Sequence, residues 1–173
     1  MNWYKKQLIA ESHSYATVML EINGDLRDRI FKHIESLDEE NIAEEGKEDN
    51  PHVTVLYGLH TNDAEEVKDF LKDSKPFEIT LGKISKFRKS DEFDVLKVDI
   101  ESEEIRDLNR KLKELPHTST HPRFNPHLTL AYVKKGRCDD MVGEEMFKGE
   151  KFKVNELVFS SKNEEKTIIS LKG

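Results

Sequence analysis

The sequence predicts an α/β (α+β) fold, two related lobes sharing one domain over residues 1–173. Three observations carry this. The phrase Asn50-Pro51-His52-Val53-Thr54-Val55-Leu56-Tyr57 returns seventy-five positions later as Asn125-Pro126-His127-Leu128-Thr129-Leu130-Ala131-Tyr132, five positions identical and three apolar in both. Alternating, β-forming runs take turns with runs of helical period, and the second half repeats the plan of the first. Finally, 173 residues with 35% hydrophobic content suffice to bury one sizeable core.

In order along the chain, Tyr15 to Ile22 alternates and is rich in β-formers, a first strand. Gly24-Asp25 opens a helix with Asp25 as N-cap and Leu26, Ile30, Ile34 and Leu37 on one stripe. The acidic stretch Asp38 to Asn50 reads as a solvated loop. His52 to Tyr57 is a strand that stops at Gly58, and Asn62 or Asp63 caps a helix burying Ala64, Val67, Phe70 and Leu71. Phe77 to Phe87 and Phe93 to Ile100 form two strands around the turn-prone Arg88 to Glu92. Glu103 to Leu115 is a helix with Ile105, Leu108, Leu112 and Leu115 inward, stopped by Pro116. The loop His117 to Asn125 leads into strand His127 to Val133. Asp139 to Phe147 reads as a short helix, and Lys153 to Ser160 and Thr167 to Leu171 as closing strands.

The repeated phrase carries the chemistry. Residues two apart on a strand share a face, so His52 and Thr54, and likewise His127 and Thr129, present an imidazole beside a hydroxyl. Strict alternation puts Tyr57 and Tyr132 on the opposite, packing side. Two such pairs across a groove supply a base for an attacking oxygen, an acid for a leaving oxygen and two hydroxyl donors for non-bridging phosphate oxygens. One H-x-T on a strand is more often a surface or packed histidine; two with matching flanks point to a paired site. An old duplication kept for packing would explain the apolar positions and not the polar ones.

Composition narrows the partners. A net charge of −7 favours a nucleotide or short oligonucleotide over long nucleic acid, which needs a basic footprint. Lys83, Lys86, Arg88 and Lys89 nevertheless form one basic cluster. No apolar run approaches the roughly 18 residues of a membrane span. The segment Met1 to Glu11 lacks a secretory core, so a cytoplasmic protein is expected. Cys138 is the single cysteine, and it lies beside Asp139 and Asp140, an environment unfavourable to a thiolate.

The two H-x-T motifs, each between apolar residues, resemble those of the 2H phosphoesterase superfamily, which includes 2′,5′-RNA ligase-like proteins and cyclic phosphodiesterases. The likeness extends to the order of elements over most of the chain. It implies two pseudo-symmetric lobes of antiparallel sheet, flanked by helices, around a central groove holding His52, Thr54, His127 and Thr129. It also implies cleavage or transfer at a phosphodiester without metal or other cofactor, commonly at a 2′,3′-cyclic phosphate or 2′,5′ linkage. By the same analogy His127 activates water or a hydroxyl and His52 protonates the leaving oxygen. Some members are phage enzymes that destroy cyclic nucleotide signals of bacterial immunity, an alternative substrate here. A binding protein that holds a nucleotide or RNA end without turnover is the rival of another class.

Five further residues are candidates for substrate contact. Arg123 could clamp a phosphate and Phe124 stack a base, or Phe124 could anchor the loop in the core with Arg123 in solvent. Phe87 and Phe93, which flank the basic hairpin turn, could likewise stack a base, and Tyr15 at the start of the first strand could line the groove, with core packing the alternative for Tyr15. His117 and His121, four apart but in a Pro- and Thr-rich loop, lack the helical geometry of a metal pair, so no metal site is expected.

Overall fold

The computed structural model describes residues 14–172, so the segment Met1 to Glu11 lies outside the described residues. The elements run β1 (Ala16–Glu21), α1 (Gly24–Ser36), β2 (Ile42–Lys47), β3 (His52–Leu59), α2 (Ala64–Phe70), β4 (Phe77–Phe87), β5 (Phe93–Glu101), α3 (Glu103–Leu112), β6 (His127–Lys134), β7 (Lys151–Val154), β8 (Glu156–Ser160) and β9 (Lys166–Ser170). This is an α+β fold with one antiparallel sheet ordered β7-β4-β5-β6-β3-β1-β8-β9, and β2 paired off that path to β6. The motif strands β6 and β3 lie at the centre. Each leads a lobe of four strands, β6-β5-β4-β7 and β3-β1-β8-β9.

One residue, Asn155, separates β7 from β8, although the two lie in opposite flanks of the sheet. Two peptide steps span at most about 7 Å, so the sheet must curl until its flanks approach. That curl creates the concave face on which the histidines sit. The convex face is covered by helices: α1 packs on β6, and α3 packs on β3 and β4.

The helices follow their expected stripes. Leu26, Ile30 and Ile34 of α1 are buried, as are Ile105, Leu108 and Leu112 of α3. Ser102 caps α3 by accepting from the Ile105 N–H at 3.2 Å, and Asp63 caps α2 by accepting from the Glu65 N–H at 2.9 Å. Asp25 is not an N-cap. Asn23 occupies that position, and Asp25 sits in the first turn paired with Arg29 at 2.8 Å. Helix α3 ends at Leu112, three residues before the expected Leu115.

Larger departures from the sequence expectation arise from pairings that only the assembled sheet offers. The acidic stretch is no simple loop: after a 3₁₀ turn at Glu39–Asn41 it forms β2. Strands β3 and β6 pair only at Val53–Leu128 and then diverge, and β2 pairs with β6 through Ile42–Val133 and Lys47–Ala131, along the stretch that β3 has left. Strand β3 does not stop at Gly58 but continues to Leu59. Gly58 has φ +118°, and a Cβ there would lie 2.2 Å from the Thr118 carbonyl oxygen, because the loop after α3 runs against the strand. Asp139 to Phe147 forms only a 3₁₀ turn at Asp139–Met141. The following backbone bonds to β4 instead, with the Gly143 N–H on the Ile84 carbonyl (2.8 Å) and the Gly149 N–H on the Leu81 carbonyl (2.9 Å). Lys153 to Ser160 is two strands rather than one, each serving a different lobe.

The most consequential departure is a pair of β-bulges. The β1–β3 register steps from Met19–Thr54 to Val18–Leu56, leaving Val55 extra. The β5–β6 register steps from Lys97–Thr129 to Leu96–Ala131, leaving Leu130 extra at the equivalent position. A bulge resets the alternation. Val55 and Leu56 are both buried, as are Leu130 and Ala131, and Tyr57 and Tyr132 return to the half-exposed face of the histidines. The expectation that the two tyrosines belong to the packing side is therefore corrected. The doubled apolar pairs Val55-Leu56 and Leu130-Ala131 were the visible signal of the break.

The basic cluster is not an open anionophilic surface. Lys86 is buried against Asp94 at 2.7 Å and Asp139 at 2.5 Å, Arg88 reaches Asp139 at 2.8 Å, and Lys83 pairs with Glu145 at 3.4 Å. Among the described residues no helix is long and apolar enough to cross a membrane.

Candidate active site

The central pair Val53–Leu128 sets the geometry of the site. Continuing its antiparallel register puts His52 opposite Thr129 and Thr54 opposite His127, on one face. Directly opposed side chains have Cβ atoms roughly 5 Å apart. The four motif residues thus form a box related by the pseudo-twofold axis between the lobes.

The phrase around each histidine has a structural reason. His52 donates its Nδ1–H to the Asn50 carbonyl at 2.8 Å, and His127 donates its Nδ1–H to the Asn125 carbonyl at 2.8 Å. A carbonyl only accepts, so both tautomers are set and Nε2 is left in each ring for proton transfer. The proline carbonyls are used alike: Pro51 accepts from the Ile22 N–H and Pro126 from the Ile100 N–H, both at 3.1 Å. Even the bulge carbonyls are satisfied. The Leu130 carbonyl accepts from the Glu48 N–H at 2.9 Å, and the Val55 carbonyl accepts from the buried Asn109 side chain of α3 at 2.7 Å. Asn109→Ala should leave that carbonyl bare and destabilise the protein by about 1–3 kcal/mol in urea unfolding; an unchanged midpoint would show that Asn109 does not hold the bulge.

The flanking strands continue the symmetry and then break it. Glu21 of β1 lies opposite His52, and Asp99 of β5 opposite His127. One step along, Met19 and Val158 are neighbours across β1–β8 in the first lobe, where the second lobe has Lys97 and Ser85 across β5–β4. The Lys97 ammonium, whose side chain is 8% exposed, donates to Ser85 Oγ at 2.5 Å and to Asp99 Oδ1 at 2.6 Å. It also sits 4.3 Å from the centroid of the Phe87 ring, which meets the His127 ring edge-on at 4.8 Å. Sequence reading passed over Lys97, Asp99 and Ser85. The signal of Lys97 and Asp99 was a charged residue at alternate positions of an otherwise apolar run, Val95 to Ile100; Ser85, on β4, carried none.

The electrostatics differ between the halves. Burial lowers the His127 pKa below the ordinary histidine value; the Asn125 carbonyl opposes this, the charges of Lys97 and His52 reinforce it, and Asp99 opposes it weakly. Beside His52, Glu48 approaches Nδ1 at 4.0 Å, and burial raises the Glu48 carboxyl against the pull of His52. Glu21 is held below its usual range: burial works the other way, but Lys166 at 2.9 Å, the Asn50 side chain and His52 together prevail.

The remaining candidates distribute unevenly. Phe87 stands at the site beside His127. Tyr15 does not: it precedes β1 at the Ala16–Leu59 end, stacked on His60 (5.9 Å) and edge-on to Tyr57 (5.6 Å), while His52 pairs at the other end of that strand. Arg123 is exposed and Phe124 is packed against the core, the two lining an open cleft of about 390 Å³ with Arg106, Arg110 and Lys113. The Phe124 carbonyl accepts from Arg106 at 3.1 Å. His117 is tied through Nδ1 to the Leu115 carbonyl at 2.8 Å. Among the described residues no three His, Cys, Asp or Glu side chains converge as a metal site requires. Cys138 is buried, and its thiol is raised by burial and by Asp140.

A curled antiparallel sheet with two H-x-T pairs facing each other at its centre defines the 2H phosphoesterase class. A family model described as the 2'-5' RNA ligase superfamily matches residues 25–166, and the chain belongs to that superfamily. Among solved structures, TT0787 of Thermus thermophilus is similar at TM-score 0.62 and 17% identity, covering 92% of this chain and 98% of that one. E. coli LigT complexed with 3'-AMP gives TM-score 0.61 at 15% identity, with 92% and 95% covered. Usb1 of Kluyveromyces marxianus with uridine monophosphate gives 0.57 at 14%, with 92% and 99% covered. A search of curated proteins returned no significant match.

Proposed function

We propose that the protein is a phosphodiesterase that cleaves a small nucleotide or an RNA terminus with His127 as base and His52 as acid, without a metal ion. The observation that carries this reading is the box of two histidines and two threonines, each imidazole tied at Nδ1 to a backbone carbonyl. Nucleotides bound by structural neighbours, 3'-AMP on LigT and uridine monophosphate on Usb1, support a nucleotide ligand here.

At a 2′,3′-cyclic phosphate the chemistry balances as follows. His127 Nε2 removes a proton from water as its oxygen bonds to phosphorus. The P–O bond to the leaving ribose oxygen breaks, and His52 Nε2–H protonates that oxygen. Thr54 and Thr129 donate to the non-bridging oxygens, where charge concentrates in the transition state. The histidines end with exchanged protonation, and solvent returns a proton from His127 to His52.

Product analysis in excess EDTA tests this. The panel holds 2′,3′-cyclic mononucleotides, RNA ending in a cyclic phosphate, 2′,5′-linked oligoadenylate and cyclic di- and trinucleotides. Cleavage that survives EDTA and disappears in both His52→Ala and His127→Ala supports the mechanism, and the best substrate names the subfamily. Cleavage stopped by EDTA overturns the metal-independent route. Nucleotide binding with no product from any substrate overturns the catalytic reading in favour of a binding protein.

A further inference from the structure

We propose that Lys97 is the positioning residue that divides the two histidines into base and acid. The inference rests on the two-histidine reading above and explains how a nearly symmetric site takes a direction.

The box is symmetric in its histidines, threonines, bulges and backbone hydrogen bonds, and each histidine faces a carboxylate on the flanking strand. The lobes part at the position opposite the threonine: Met19 faces Thr54, whereas Lys97 faces Thr129. The groups facing His127 are Lys97 and Asp99 from β5, the Phe87 ring from β4, the Asn125 carbonyl, and His52 across the groove. Asp99 spends its charge on Lys97 at 2.6 Å, so it offers an imidazolium at 127 little support. The ammonium cannot swing away, because Ser85, Asp99 and the face of Phe87 hold it on three sides. The groups facing His52 are Glu21 from β1, itself paired with Lys166 of β9, then Glu48 at 4.0 Å, the Asn50 carbonyl and His127. No cation of the described residues takes the place of Lys97 there; Met19 and Val158 occupy it. With an ammonium fixed beside it and Asp99 already paired to that ammonium, His127 is the ring left without the proton and free to act as base.

This makes Lys97 a residue that acts through His127, and charge-specific variants read it directly. Both imidazoles would be titrated by NMR in wild type, Lys97→Met, Lys97→Arg and Asp99→Asn, with signals assigned from His52→Gln and His127→Gln. Lys97→Met puts the residue of the first lobe in its place and leaves Asp99 with the Ser85 hydroxyl (2.7 Å) but without the ammonium, so the His127 pKa should rise by roughly one unit. Lys97→Arg should leave it near wild type. Asp99→Asn should move it the other way, because the ammonium is then uncompensated. The acidic limb of kcat/KM should follow His127 in each variant. An unmoved His127 in Lys97→Met, or equal shifts of both histidines, overturns the inference. If Lys97→Met does not fold, Lys97→Gln takes its place, and an unmoved His127 in that variant overturns the inference. The imidazole titration needs no substrate, so absence of phosphodiesterase activity in wild type would sink the proposed function and leave this result to be read by itself.

Discussion

His127→Ala is expected to lower kcat/KM on a 2′,3′-cyclic phosphate by about 10²–10⁴-fold, the range for a positioned proton-transfer group. His52→Ala should cost a similar factor, and the double variant little more than either, because the two act in one transfer. The pair is told apart by leaving group. A p-nitrophenyl phosphodiester needs no protonation of its leaving oxygen, so it should restore much of the rate to His52→Ala and none to His127→Ala. Restoration in the reverse variant would exchange the roles. Wild-type kcat/KM should be bell-shaped, with the acidic limb set by the base and the basic limb by the acid. Burial and the Lys97 charge hold His127 below the ordinary value, so the acidic limb should fall below about 6.5. An acidic limb well above that value would contradict the assignment.

The second large effect concerns stability, on the other side of the sheet from the groove. Asp94 and Lys86 have side chains with no exposed surface and meet at 2.7 Å, with Lys135 3.0 Å from the same carboxylate and the Gly136 N–H donating to it at 3.0 Å. Asp94→Ala would leave the buried Lys86 ammonium without its buried counter-charge, held only by the half-exposed Asp139 and the Arg137 carbonyl at 2.8 Å. The expected loss is about 3–5 kcal/mol in urea unfolding. Replacing both members, Lys86→Met with Asp94→Leu, should recover much of it, because no buried charge then lacks a partner. A single variant as stable as wild type would mean that water reaches the pair. The pH dependence has a definite sign. Burial would raise the Asp94 carboxyl, but the bonds from Lys86, Gly136 and Lys135 overcome it and hold the folded-state pKa far below the usual range. A depressed carboxylate contributes fully above its unfolded value of about 4 and loses that contribution as pH falls below it. Wild type should therefore lose stability from about pH 4 downward more steeply than Asp94→Ala does.

Much of the site was legible before any fold was built. Matching His-x-Thr phrases on two strands mark the proposed reacting side chains, because the period of a strand puts residues two apart on one face. Helix stripes were equally plain, since Leu26, Ile30 and Ile34, or Ile105, Leu108 and Leu112, repeat at the helical spacing whatever they pack against. The family also follows from the two motifs.

What the linear order hid were features that exist only between strands. A bulge is a mismatch of register, so Val55 and Leu130 become extra residues only when β1 and β5 are beside them, and Tyr57 and Tyr132 change face with them. Strand β2 forms because β3 leaves β6, and the break at Asn155 exists because the two neighbouring segments belong to opposite lobes. Lys97 reads in sequence as one more charge in a charged chain; opposite Thr129 and over Phe87 it becomes a cation at the position that Met19 holds in the other half. Local periodicity thus determined the elements and the four motif residues. Register, curl and the asymmetry of charge across the groove were decided by tertiary structure, because each depends on which strand lies alongside, and pairing between distant segments leaves no local period to read.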